Sequence, residues 1–290
     1  MTQTKTLSEF AQLVVPGWRR YMDAELGASH DANLAEAMAY SLDAGGKRLR
    51  PLLVMATATA LGADVALAYP AAAAVEYVHT YSLIHDDLPA MDNAQLRRGR
   101  LTNHVQFDEA TAILAGDALL TDAFRIAASG ALPSEAKLRI VQTLATAAGS
   151  PGMVSGQMMD MAGSRHALTP VQLAALHRHK TGALLRAAVS MGASVAQTDD
   201  QTRTALDRFA TAFGLGFQIK DDIEDVTVAA SELGKTSGQD AANAKTTYVA
   251  LYGLDGARAR LAEQYQIAKA ALAQVAADTS VLTAIADYLA

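Results

Sequence analysis

Apolar residues recur at helical spacing through almost the whole chain. Leu7, Phe10, Leu13 and Val14 form one stripe, and Trp18 and Tyr21 continue it past Pro16, where a second helix is expected to begin because proline suits the first helical position. Residues 31–42 read as a helix ended by Gly45 and Gly46, and residues 47–61 as the next, ended by Gly62. A first acidic helix covers 69–87. Residues 107–128 form a long Ala/Leu-rich helix with Asp108 near its cap and Gly130 at its end; 134–148 follows Pro133, and 152–161 is short. Thr169 and Pro170 read as a cap and first helical position, opening a helix to Ala196. A second acidic helix spans 202–226, a shorter one 244–252, and 258–275 and 281–289 close the chain.

No segment alternates in the manner of a strand with hairpin turns, so the fold class is all-α, a bundle of roughly ten or more helices. Segments 71–85 and 181–195 are apolar on most sides and belong at its centre. Their small residues (Ala71, Ala72, Ala73, Ala74, Gly182, Ala187, Ala188 and Gly192) permit close approach of neighbouring helices. With 290 residues, 51% of them hydrophobic, and no Pro/Gly/Ser-rich linker, residues 1–290 are expected to form a single domain. The net charge of −6 argues against attraction to nucleic acid or anionic lipid. Cysteine is absent, which removes disulfides and thiolate metal sites. The first residues lack a long apolar run, and no window of about 18 residues is free of charge or strong polarity. A cytoplasmic protein without stable membrane insertion is expected.

The chemistry concentrates in residues 79–100, HTYSLIHDDLPAMDNAQLRRGR, where Asp86, Asp87 and Asp92 follow an apolar run and Arg97, Arg98 and Arg100 come after them. Carboxylates side by side at the end of a buried helix repel one another and need a cation. Asp86 and Asp92 would lie about 120° apart on a regular helix. Pro89 cannot donate to the His85 carbonyl, so the helix is expected to break near Leu88 and Pro89 and to swing Asp92 back toward Asp86. A second copy, FQIKDDIED at 217–225, again places Asp221, Asp222 and Asp225 behind an apolar run interleaved with Gly214 and Gly216. Asp221 and Asp225 share one helix face, about 40° apart. Two such faces opposed make a cage of hard oxygen ligands, suited to Mg2+ or Mn2+ and, through the ions, to a polyphosphate.

Cations accompany the acids. GGKRLRP at 45–51 sets Lys47, Arg48 and Arg50 after a helix-ending glycine pair; it is not a P-loop, since no Ser or Thr follows the lysine and no strand precedes it. Taken alone it reads more readily as a basic helix start than as an anion site. Lys180 and Thr181 begin an apolar helical stretch, placing Lys180 at a pocket rim or leaving it to snorkel from a core helix. Gly234 and Gly238 frame Lys235, and Lys245 lies nearby. His79, His85 and His104 are poorly spaced for a metal, and His85 is expected to pack or hydrogen-bond.

GGKRLRP, EYVHTYSLIHDDLPAMDNAQLRRG, HVQFDEATAILAGDALL, GMVSGQMMD, HKTGAL, GLGFQIKDDIED, LGK and KTTYVALYG occur in an order and spacing that resembles the bacterial farnesyl diphosphate synthases among the trans-isoprenyl diphosphate synthases. The resemblance covers about residues 40–255. It implies an isoprenoid-synthase-type fold around a deep central cavity, a homodimer, and condensation of isopentenyl diphosphate with an allylic diphosphate. By the same likeness Asp86, Asp92 and Asp221, supported by Asp87, Asp222 and Asp225, hold three Mg2+ ions, with Mn2+ as a substitute. Arg97, Lys180 and Lys235 bind the allylic diphosphate. Lys47, Arg50, His79 and Arg98 bind isopentenyl diphosphate, and Thr181 and Gln218 line the allylic chain. Tyr81, five residues before Asp86, sets the pocket floor and so a C15 product, with C20 and C10 products the alternatives.

Asn93 and Ala94 stand where further aspartates are common. Lys220 and Glu224 replace neutral neighbours, either pairing one turn apart or bringing Lys220 against the metal site. The final IADYLA lacks the basic tail that many relatives carry, which leaves open any closing role for such a tail. A terpene cyclase shares the aspartate motif but would not need GGKRLRP, and a noncatalytic partner subunit would have lost one acidic motif.

Overall fold

Helices in this protein begin and end where side chains pair the backbone groups that a helix leaves unpaired at its ends. The computed structural model describes residues 6–163, 166–227 and 246–290. Thr6 and Glu9 cap α1 (Leu7–Leu26) reciprocally. This helix runs unbroken through Pro16, against the expectation of a new start there. Its buried stripe of Phe10, Val14, Trp18, Met22 and Leu26 recurs every fourth residue across the proline, and burial along it outweighs the one hydrogen bond that Pro16 cannot donate. Asp31 caps α2 (Ala32–Leu42) by accepting the Leu34 N–H. α3 (Leu49–Ala60) starts later than expected, because Arg48 adopts a left-handed backbone with φ 49° and leaves Lys47 in the preceding loop.

A 3-10 turn, Val65–Ala68, leads into α4 (Tyr69–Asp86). The sequence then makes a two-stranded antiparallel hairpin, β1 (Leu96–Arg97) with β2 (Arg100–Leu101). Arg98 and Gly99, with φ 53° and 76°, form its turn, the geometry that matches strand twist in two-residue hairpins. α5 (Asn103–Gln106), α6 (Glu109–Ala127, capped by Asp108), α7 (Ser134–Ala148) and α8 (Met153–Gly163) follow. The helix expected from Thr169 to Ala196 comprises α9 (Pro170–His177), a π-helical turn (Arg178–Gly182) and α10 (Ala183–Val195). α11 (Asp200–Thr227) carries the second acidic motif. α12 (Tyr248–Leu272) overlaps the two segments read at 244–252 and 258–275, separated by a kink at Gly253, whose φ of 69° and ψ of 169° are not helical. α13 (Ser280–Ala286) and a last 3-10 turn, Asp287–Leu289, end the chain.

As the pattern predicts, α4 and α10 are central. Every side chain from Pro70 to Val78 is buried, as is most of α10. Small residues set the spacing: a Cβ on Gly192 of α10 would lie 2.5 Å from the Val54 carbonyl oxygen and 2.7 Å from Thr57 Cβ on α3, and one on Gly214 would lie 3.1 Å from Gly182 Cα in the π turn. Among the described residues no helix is long and apolar enough to cross a membrane. Gly192→Val should overpack the α3–α10 contact by about 2 kcal/mol, lowering the urea midpoint at unchanged slope.

Candidate active site

α4 ends at Asp86, and the chain folds back at Pro89 as expected. The Met91 and Asn93 N–H groups donate to the Leu88 carbonyl at 2.9 and 3.1 Å, and the Asp92 N–H donates to the Asp86 carbonyl at 2.9 Å. This turn replaces the helical separation of Asp86 and Asp92 with direct adjacency. Burial pushes the Asp86 carboxyl up to about 6; Lys180 and Arg97 oppose the rise, while Asp92 and Asp87 add to it. Asp87 faces away. It is buried and grips Arg97 through two bonds, from Nε at 2.7 Å and from Nη2 at 2.6 Å. The hairpin sends the next residue, Arg98, in another direction, to donate to the Gly45 carbonyl at 2.5 Å.

The π turn brings Lys180 and Thr181 between the two acidic motifs. Lys180 Nζ lies 2.5 Å from Asp160 of α8, and its charge also reaches Asp86. α8 comes this close because Gly156 lies on the Lys180 backbone, where a side chain would collide. Thr181 donates to Gln218 Oε1 at 2.7 Å, and Gln218 Nε2 donates to Asp221 at 3.0 Å. An extra residue per turn in a helix often marks a functional position, and here it connects both motifs through adjacent side chains.

The second motif divides its labour. Asp222 is buried and accepts the N–H of Tyr248 at 2.7 Å, fixing the start of α12; His177 stacks on Tyr248 and stands 3.8 Å from the same carboxylate. Arg97 thus pairs with both oxygens of Asp87, and the Tyr248 N–H with one oxygen of Asp222. Both Asp225 oxygens are buried with no hydrogen-bond partner among the described residues. Lys220 pairs with Glu224 one turn on, at 4.0 Å, and also donates to the Tyr288 carbonyl at 2.6 Å.

A cationic pocket adjoins. Burial lowers Arg50 to about 10, with Glu76 and Asp221 offsetting this and Arg98 adding to it. Burial, then Arg50, Arg98, Arg97 and Arg48, hold His79 well below its ordinary value, so it is neutral at pH 7. Arg48 itself is neutralised by buried Glu76 at 2.5 Å. Lys47 Nζ donates to Tyr288 Oη at 2.6 Å; burial works against its charge, yet that bond and nearby Glu224 and Asp221 leave its pKa raised. Tyr81 is buried edge-on to His85 at 5.7 Å, and burial followed by the Asp86 charge raises its phenol. His85 contacts the Ile113 carbonyl at 3.2 Å, as a packing residue should. Arg100 lies elsewhere, over the Tyr40 ring at 4.1 Å.

Lys235 and Lys245, with Gly234 and Gly238, lie outside the described residues. Among the described residues no three His, Cys, Asp or Glu side chains converge on one point. The all-oxygen donors Asp86, Asp92 and Asp221 nevertheless fit magnesium, which takes one or two carboxylates and keeps its other positions for water and phosphate. Asp86, raised to about 6, and Asp225, without a hydrogen-bond partner among the described residues, are carboxylates in need of positive charge. A groove of about 600 Å3 takes in Arg178, His179 and Gly182 of the π turn, with Arg186 and Asp207, but none of the expected ligands. Sequence reasoning gave no role to Asp160, Glu76 or Tyr288; the first two carried a signal in their motifs, and Tyr288 carried none.

A profile of the polyprenyl synthetase family matches residues 31–289. The chain is 47% identical over 287 residues to a farnesyl diphosphate synthase of Geobacillus stearothermophilus, covering 98% of this chain and 96% of that one. Among solved structures it is similar to an FPP/GFPP synthase of Zymomonas mobilis, at 35% identity and TM-score 0.86 over 98% of this chain and 99% of that one. It is also similar to a geranyltransferase of Helicobacter pylori complexed with magnesium and isoprenyl diphosphate, at 32% identity and TM-score 0.82 over 100% of this chain and 97% of that one.

The Asp87–Arg97 pair yields a stability test. Asp87→Ala should cost about 2 kcal/mol in urea unfolding, less than the loss of a fully buried pair because Arg97 keeps part of its surface open.

Proposed function

This chain belongs to the polyprenyl synthetase family, and from that premise we propose that it is a farnesyl diphosphate synthase, joining isopentenyl diphosphate to dimethylallyl and geranyl diphosphates. It is a trans-prenyltransferase. The observation that carries the reading is the π turn, whose neighbouring residues Lys180 and Thr181 reach Asp86 by charge and Asp221 through Gln218. One diphosphate placed at Lys180 is then within reach of both acidic ends.

Asp86, Asp92 and Asp221, with Asp87, Asp222 and Asp225 supporting, would hold Mg2+, which when bound would supply the positive charge that lets diphosphate leave with the bonding electrons of the allylic carbon–oxygen bond. The magnesium in the Helicobacter pylori relative supports this assignment; three ions, with Mn2+ as a substitute, belong to the same reading. Arg97, fixed by Asp87, and Lys180, fixed by Asp160, present cations to that diphosphate without having to order themselves first. We assign Lys235 the same task. Lys47, Arg50, Arg98 and neutral His79 hold the isopentenyl diphosphate, whose alkene attacks the allylic carbon. Thr181 and Gln218 bond to each other and flank the developing cation, while the helix walls keep water away. The proton lost in the last step goes to the released diphosphate.

Residues 1–290 form a single polyprenyl synthase domain in this reading, cytoplasmic and acting as a homodimer. In support of the dimer, α6 and α8 leave Ile113, Leu114, Val154 and Met158 exposed. Tyr81, buried beside Asp86, forms the floor that stops growth at C15.

Incubation with labelled isopentenyl diphosphate, Mg2+ and each allylic primer, followed by chain-length analysis, tests the proposal. Asp86→Ala should lower turnover about a hundredfold or more, and EDTA should abolish it; near-normal rates in either case overturn the metal assignment. Tyr81→Ala should shift the main product beyond C15, and an unchanged profile overturns the floor.

A further inference from the structure

The C-terminal turn is built against the cationic pocket. Leu289 is buried in a notch at Gly216, where a Cβ would come within 2.7 Å of Leu289 Cδ1. Tyr288 is thereby set between two ammonium groups. Lys47 Nζ lies 4.4 Å from its ring centroid and Lys220 Nζ 4.6 Å, and the ring also packs on Phe217 with centroids 5.7 Å apart. Phe217 continues a line of rings along α11, through Phe213 at 6.3 Å and Phe209, which is 5.9 Å from Phe213. The tyrosine is therefore held by the core on one side and by charge on the other.

The hydroxyl accepts a hydrogen bond from Lys47 Nζ at 2.6 Å. A phenol that accepts one hydrogen bond still has its own proton to give, and among the described residues none is placed to take it. Lys47, for its part, has three donors and gives only one of them to Tyr288. Lys47 lies in the loop before α3, whose first turn carries Arg50, and this loop lies against Arg98 through Gly45 and Gly46, where an anion is expected.

We propose that Tyr288 is a further binding residue for isopentenyl diphosphate: its ring and hydroxyl orient Lys47, and its own proton is donated to the diphosphate oxygens that Lys47 binds. The proposal rests on the assignment of Lys47 to that diphosphate. Lys220 is a positioning residue in this arrangement, since it grips the Tyr288 carbonyl and ring and does not face the ligand.

Steady-state kinetics with each substrate varied separately test it on the full-length enzyme. Tyr288→Phe keeps the ring, its packing and both cation contacts, and removes only the hydroxyl. It should raise KM for isopentenyl diphosphate about tenfold, with kcat and KM for the allylic substrate within about twofold of the wild type. Lys47→Ala should raise the same KM, and adding Tyr288→Phe to Lys47→Ala should raise it by much less than tenfold, because the two groups act on one ligand. Lys220→Met should raise that KM more weakly than Tyr288→Phe. If Lys47→Ala raises KM for isopentenyl diphosphate and Tyr288→Phe does not, the role of Tyr288 is overturned while the site assignment stands. If Lys47→Ala leaves that KM unchanged, the site assignment itself fails. A Tyr288→Phe enzyme that loses affinity for both substrates equally, or whose thermal midpoint falls with its activity, marks a purely structural tyrosine and overturns the proposal.

Discussion

Asp86 and Asp92 lie side by side at the end of a buried helix, and about two turns earlier on the same helix His79 is ringed by Arg48, Arg50, Arg97 and Arg98. Like charges this close in a poorly solvated interior repel strongly, and each group survives only where an opposite charge is fixed beside it. Glu76 does this for Arg48, Asp87 for Arg97 and Asp160 for Lys180. The remaining imbalance, carboxylates short of cations on one side and cations short of anions on the other, is what a magnesium-bound diphosphate pair would relieve. Binding in such a place draws on electrostatic free energy already present in the empty fold.

Backbone conformation is spent on the same end. Arg48, Asn93 and Arg98 all adopt left-handed φ, which disfavours side chains larger than glycine by roughly 1–2 kcal/mol each. The bonds of Arg48 to Glu76 and of Arg98 to Gly45 offset that strain by tying each guanidinium to a fixed acceptor. A regular helix start at Lys47 would have spared the strain and carried the guanidinium groups apart. Gly46, with φ 107°, lies against the Arg98 guanidinium, so the absence of a side chain there is what lets the two loops meet.

Much of this was legible in the sequence because it depends on local chemistry. Asp31, Asp108 and Thr169 cap the helices they precede, and Pro89 breaks α4 where its missing N–H requires. The two acidic motifs and the GGKR loop were likewise recognisable by residue type and order. What was hidden depends on partners distant in the chain. Nothing near Asp222 says that it receives the Tyr248 N–H, nor does the surrounding motif show Asp87 turning to Arg97. Pro16 misled for the complementary reason: its local signal was correct, but the stripe from Phe10 to Leu26 overrode it. Lys220 pairs with Glu224 one turn away as read, but its bond to the Tyr288 carbonyl at the far end of the chain had no local signal.

The π turn at Arg178–Gly182 holds one residue more than the α-helical geometry it interrupts. Its length therefore sets the rotational phase between α9 and α10. Loss of a single residue there would restore a regular helix and rotate one flank by about 100° against the other, so that either Lys180 and Thr181 leave their partners or the buried face of α10 leaves the core. Changes of residue type in this turn act by degrees, whereas changes of length act all at once. A substitution in this segment therefore leaves the phase of the two helices unchanged, whereas an insertion or deletion resets it.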